Sequence, residues 1–345
     1  MKRLAVAALL LATSGIAMLP KADAQGLRVR MQQMREASRQ ERPVAVPAGG
    51  SAVRNVAYGP DPAQRFDLYL PANPSRAPVV FYVHGGGWAN GDKTNPGLAN
   101  KLAYWLPKGY AVISSNYRMV PVAMPLEQAR DVARGVALVQ RRAGEWKLDP
   151  ARIVLMGHSA GAHLVALLGA DPGLLAEAGA RPPLGVVSLD SGALDVPALM
   201  GQRRVPKLYH EAFGADPAYW RSVSPQQQLG RNGVPMLLVC ASDRGFPTSP
   251  CDEANKLAKR AESLRVPMRV QPEPMDHGEI NKDLGLASDY TGRVGAWIDQ
   301  LTGLATPRYG LAWLRALETV QFRYVFEPRP PCSASPSSPT TPPSS

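Results

Sequence analysis

Between residues 53 and 301 the chain alternates short apolar runs with longer stretches whose apolar positions recur every three or four residues. The runs predict strands and the longer stretches predict amphipathic helices. Residues 53–58 and 66–70 flank Gly59-Pro60-Asp61-Pro62, a turn cluster, and so predict an antiparallel pair. Residues 79–83 are wholly apolar and predict a central strand, followed by a helix over 98–106 and a strand over 111–115. Leu126, Ala129, Ala133, Val136 and Ala137 place a helix over 126–140, with Glu127 and Asp131 on its solvated or salt-bridged side. Further strands are expected at 153–156, 185–190 and 234–240, with an edge strand at 266–272. Helices are expected to 168 after the first of these, at 252–264 and at 294–301. Strands alternating with helices indicate an α/β domain built on a mostly parallel sheet.

The pattern fails at both ends and once in the middle. Residues 1–24 carry Lys2 and Arg3, an apolar stretch and Ala22-Asp23-Ala24, the order of a cleaved secretory signal. Export to the periplasm or medium, cleavage near Ala24 and no stable membrane anchor afterwards are the expectation. Residues 25–50 read as a leader, 51–302 as the α/β domain and 303–327 as an unassigned extension. Residues 328–345, almost all Pro, Ser and Thr, predict a disordered tail. Periodicity also lapses over 196–232, expected as an insertion over the C-terminal edge of the sheet, where substrate selection resides. The 345 residues are 45% hydrophobic and 19% charged with a formal net charge of +11. The basic side chains are scattered and no nucleic-acid motif accompanies them, so no nucleic-acid partner is expected. Export permits disulfides, and Cys240 and Cys251 bracket one short loop that a bridge could close.

The chemistry is concentrated in two stretches. Gly157-His158-Ser159-Ala160-Gly161 follows an apolar run and precedes an apolar helix, the strand–turn–helix setting in which a serine hydroxyl is lifted above a sheet. His84-Gly85-Gly86-Gly87-Trp88 leaves the central strand, and its glycines allow backbone N–H groups to converge on one point, as an oxyanion requires. A phosphate cradle would need Walker or G-x-G-x-x-G spacing, which this loop lacks. Ser159 needs a base, and His277 stands in a loop just after the last predicted strand. His84 and His158 belong to turns, His163 to the elbow helix and His210 to the insertion. The orienting acid should leave a strand between Ser159 and His277. Asp243, three residues beyond Cys240, is the expected acid, with Asp190 its rival; Asp276 is too close to His277 in sequence to orient its ring.

These two motifs, with Asp243 and His277 after them, resemble the α/β-hydrolase superfamily, in its esterase/lipase type with an H-G-G-G oxyanion motif. The resemblance covers about residues 50–300. It implies the α/β-hydrolase fold and oxyanion donation by the N–H groups of Gly86, Gly87 and Ala160. It also implies a small-molecule ester substrate cleaved through an acyl-enzyme. That chemistry needs no cofactor, and the Cys, His and carboxylate spacings match no metal-ligand pattern. The stretch Met275-Asp276-His277-Gly278-Glu279 departs from commoner loops of that type and leaves a formamidase or other amide hydrolase open. A non-catalytic binding protein on the same fold is the reading from another class.

Overall fold

The computed structural model describes residues 43–246 and 248–304. The expected signal, most of the leader, the tail and all but the start of the extension lie outside these residues, as does Cys332.

Strands β1 (Ser51–Ala57), β2 (Arg65–Leu70), β3 (Ala77–Val83), β4 (Ala111–Ser115), β5 (Leu148–His158), β6 (Gly185–Leu189), β7 (Met236–Ala241) and β8 (Met268–Glu273) form one eight-stranded sheet. Their order is β1-β2-β4-β3-β5-β6-β7-β8. β1 pairs antiparallel with β2, and β2 with β4; all other pairings are parallel. The order explains the hydrophobic pattern. β3 lies between β4 and β5 and is buried at every position, whereas β8 at the edge alternates between buried and accessible residues. Parallel strands covered on both faces need apolar side chains on both, so their sequence loses its alternation.

Two buried clusters cover the two faces. Helices α1 (Leu98–Trp105), α10 (His277–Lys282) and α11 (Asp289–Thr302) pack on one, through Leu98, Leu102, Ile280, Val294 and Ile298. Helices α2 (Pro125–Arg142), α3 (Ala160–Ala170) and α9 (Pro250–Leu264) pack on the other, through Val132, Val136, Leu164, Leu168 and Leu257. The short α4 (Gly173–Glu177) follows α3. The insertion is not irregular. Its lapse of periodicity reflects four short helices, α5 (Val196–Met200), α6 (Lys207–Phe213), α7 (Pro217–Ser222) and α8 (Pro225–Gln228), each too brief to display a helical repeat. Pro at the first turn of α5, α7 and α8 presets φ and forfeits only an N–H that no helical carbonyl would take.

The side of α2 expected to face solvent is divided. Glu127 is half exposed and paired with Arg130 at 2.7 Å. Asp131 is fully buried, held by Arg118 through Nε and Nη2 at 2.8 Å each, by Gln64 at 2.7 Å and by Arg134. A carboxylate survives burial when its lone pairs are all taken by donors.

Cys240 and Cys251 are joined by a disulfide with a Cα–Cα distance of 5.2 Å. The bridge closes a loop whose ends are 11 residues apart, between β7 and the first turn of α9. Chain-entropy arithmetic for so short a loop predicts that the Cys240→Ala/Cys251→Ala variant loses about 3 kcal/mol of stability. An unchanged urea midpoint would contradict this. Among the described residues no helix is long and apolar enough to cross a membrane.

Candidate active site

Ser159 sits between β5 and α3 with φ 55° and ψ −117°. A non-glycine residue held there stores roughly 1–3 kcal/mol of strain, sustained only by rigid surroundings. Those surroundings are the Ser159 N–H, donating to Leu189 O at 2.9 Å, and α3, buried along its whole length. Close packing at the elbow requires its glycines: a Cβ on Gly161 would overlap the carbonyl oxygens of Val83 and His84. The elbow is thereby pressed onto the end of β3, from which the glycine loop departs.

That loop meets the serine directly. A Cβ on Gly85 would lie 2.9 Å from both His158 O and Ser159 Cβ. Gly86 and Gly87 both take positive φ, and Gly86 O accepts from Asn90 N–H at 2.9 Å. No backbone acceptor among the described residues engages the N–H groups of Gly86, Gly87 or Ala160. Trp88 anchors the loop from behind. Its indole N–H donates to His163 Nδ1 at 3.2 Å, and its ring packs against Phe213 at 4.8 Å and Tyr209 at 5.6 Å. His163 Nε2 donates to Val223 O at 2.7 Å, so the loop, α3 and the insertion are fastened through one imidazole.

His277 opens α10, past the end of β8. Its Nε2 stands 3.0 Å from Ser159 Oγ, the geometry of a base accepting the hydroxyl proton. Its Nδ1 lies 2.6 Å from Asp190 Oδ2. The expected acid, Asp243, is not there. β6 neighbours β5 in the sheet, so Asp190, directly after β6, is delivered beside the elbow. At residue 242 the chain is still bonded to β8, through Ser242 N–H to Glu273 O at 2.9 Å. Asp243 therefore leaves on the outer side, exposed, and among the described residues accepts only from Ser242 Oγ at 2.9 Å. Asp190 is buried, and its other oxygen accepts Ala241 N–H at 2.8 Å. Burial raises its carboxyl, but the bonds from His277 and Ala241 and the charge of Arg244 outweigh this and hold it below the usual carboxylate range. Asp276 caps α10, accepting from Gly278 and Glu279 N–H at 2.7 Å each.

Several supporting contacts join residues far apart in the sequence. His158 Nε2 donates to His277 O at 2.8 Å, with the two rings 4.6 Å apart. Lys101 Nζ donates to Asn281 O and Oδ1 at 2.6 and 2.9 Å, and Tyr82 OH donates to the same Oδ1 at 2.7 Å. Asn281 lies one turn beyond His277 on α10, so this network fixes the helix that carries His277. Burial pulls the Lys101 ammonium down to about 7. Arg244 Nη2 lies 3.0 Å from Asp190 Oδ2.

Burial pushes His158 down to about 3 and His163 down to about 4, against about 6.5 in an unfolded chain. Between these values the unfolded chain binds more protons than the folded one, so stability rises with pH in that window and is lost as pH falls from about 6.5 towards 4. Each ring contributes at most about 1.4 kcal/mol per pH unit. Tm should fall steadily across that window, and a flat profile would contradict the neutral burial of both rings.

A mostly parallel sheet with a strained serine after one central strand, a glycine loop after its neighbour and a histidine after the last strand is the architecture of the α/β-hydrolase fold. The family model BD-FAE matches residues 66–175, which include the glycine loop and the elbow. The chain is 38% identical over 116 residues to a probable isoprenylcysteine alpha-carbonyl methylesterase, ICME, of Oryza sativa subsp. japonica, spanning 33% of this chain and 27% of that protein. It is 29% identical over 212 residues to the esterase LipC of Mycobacterium tuberculosis, spanning 55% of this chain and 50% of that one. It is 33% identical over 116 residues to the kynurenine formamidase of Salmo salar, spanning 33% and 37%. The fold matches the solved structure of a truncated carbohydrate esterase from gut microbiota with TM-score 0.63 at 17% identity, over 76% of this chain and all of that one. The chain thus has the α/β-hydrolase fold and is similar to esterases over part of its length, spanning half or less of each of these curated relatives.

Proposed function

We propose that the protein hydrolyses carboxylic esters through an acyl-enzyme on Ser159, with His277 as base, Asp190 as orienting acid and Gly86, Gly87 and Ala160 as oxyanion donors. The observation that carries this reading is the continuous chain from Asp190 Oδ2 through His277 to Ser159 Oγ, at 2.6 and 3.0 Å. The Nδ1–H bond to Asp190 leaves Nε2 free to accept. His277 takes the Ser159 proton as the hydroxyl oxygen attacks the carbonyl carbon, and the imidazolium is stabilised by the buried carboxylate. The three backbone N–H groups stabilise the tetrahedral oxyanion, each contributing on the order of 3 kcal/mol. His277 then protonates the departing alcohol, and water enters by the same route to release the acid.

An amide or formamide hydrolase would use the same groups, and the likeness to a kynurenine formamidase keeps that second reading alive. Kinetics on aryl esters and formanilides with matched aryl groups separate the two. Ester hydrolysis should dominate kcat/KM; a large formanilide preference would replace the proposal with its alternative. We also propose export after cleavage near Ala24, supported by the basic and apolar order of residues 1–24. Amino-terminal sequencing of protein recovered from its native host should start at Gln25, and an intact Met1 in the mature protein would refute it.

A further inference from the structure

The triad acid is shared. Asp190 Oδ2 accepts from His277 Nδ1 at 2.6 Å and lies 3.0 Å from Arg244 Nη2, which also donates to Asp190 O at 3.3 Å. Arg244 is brought there by the loop that the Cys240–Cys251 disulfide closes. Its guanidinium packs against Gly192, where a Cβ would stand 3.3 Å from Nη2 and 3.5 Å from Nη1. The side chain is four-fifths buried, at 21% exposure, so solvent screens its charge only weakly.

We propose that Arg244 is a positioning residue of the reaction. It pins the Asp190 carboxylate in register with His277 and neutralises part of the charge that this carboxylate presents to the imidazole. This rests on the serine-hydrolase reading above. A triad acid acts in two ways. It orients the ring, and its negative charge favours the imidazolium. A fixed cation on the same oxygen preserves the first effect and weakens the second, because a charge a few ångströms from the ring disfavours its protonated form.

Other groups face this pair from each packed element. His158 of β5 is pushed down to about 3 by burial and is neutral well above that pH. Lys101 of α1 is pulled to about 7 by burial and acts on His158. Tyr209 of α6 and Tyr290 of α11 are both raised by burial and remain neutral phenols. Glu253 of α9 is raised by burial and accepts from Leu194 N–H at 2.7 Å. Asp276 and Glu279, beside His277 on α10, form its capping box. All of these are common to the variants compared, so a difference between those variants isolates Arg244.

The test is the second-order rate of Ser159 modification by a fluorophosphonate as a function of pH, in the full chain and in R244Q, R244M and R244K. This rate reads His277 in the free enzyme and does not depend on which substrate is native. The acid limb should move up by about one pH unit in R244Q. R244M carries the same expectation should R244Q fail to fold. In R244K, which restores a cation, the limb should stay within a few tenths of wild type. A uniformly slower reaction with an unmoved limb in the neutral variants would reduce Arg244 to a structural role and overturn the proposal. Equal shifts in R244K and R244Q would overturn it too, since charge would not then be the cause. Failure of wild type to react at any pH would remove the serine reading itself, an outcome distinct from an unmoved limb.

Discussion

Ser159→Ala should lower kcat for a p-nitrophenyl ester by about 10⁶ while leaving the folded protein intact. The loss is large because the hydroxyl is the only atom removed that forms a bond to substrate; the remaining groups would act on a nucleophile that is gone. Folding should survive because the elbow is held by backbone. Ser159 N–H donates to Leu189 O, and the Gly161 approach to β3 involves no side chain of residue 159. His277→Ala should be nearly as severe. The double variant should be little worse than either single one, since groups that act as a unit are not additive. Residual activity within tenfold of wild type in folded Ser159→Ala would point to another nucleophile.

The second large effect distinguishes two aspartates. Asp190→Asn should reduce kcat by about 10⁴, whereas Asp243→Asn should stay within a few-fold of wild type. An amide at residue 190 can still bond to the ring, but its NH₂ favours the tautomer with the proton on Nε2, which cannot accept from Ser159. Asp243 is exposed and, among the described residues, bonded only to Ser242, so its charge is screened and its loss reaches no reacting atom. Should Asp243→Asn be dead and Asp190→Asn active, the loop after β7 would have to rearrange in the working enzyme, and the Arg244 proposal would fall with it.

The placements of Ser159 and His277 were legible because their signals are local. Glycines around Ser159 and after β3 mark a backbone approach that side chains forbid, and His277 follows the last strand in sequence. The acid depended on something the chain order does not contain. Asp190 and Asp243 both follow strands between the serine and the histidine, and the choice is made by sheet order, which puts β6 beside β5 and leaves β7 one strand further out. One local sign pointed the right way. Asp190 follows β6 without a gap and is succeeded by Ser191-Gly192, a small, close-packed exit, whereas Asp243 stands two residues past β7 in a polar loop. The bracing of His277 by His158 and by the Lys101–Asn281 network joins residues 119 and 180 apart in sequence, and no periodicity encodes it. Burial of Asp131 was equally hidden, because its partners Gln64 and Arg118 come from outside α2.

The central claim is that Asp190, His277 and the glycine loop make Ser159 nucleophilic. It is tested most directly by treating the folded chain with a fluorophosphonate and mapping the adduct by peptide mass spectrometry. A single adduct on Ser159 is expected, in the peptide containing Gly157-His158-Ser159-Ala160-Gly161, formed far more slowly in Asp190→Asn and absent in Ser159→Ala. No adduct on correctly folded wild-type protein would contradict it and favour a binding protein built on a hydrolase fold; an adduct that persists in Ser159→Ala would contradict it and point to another nucleophile.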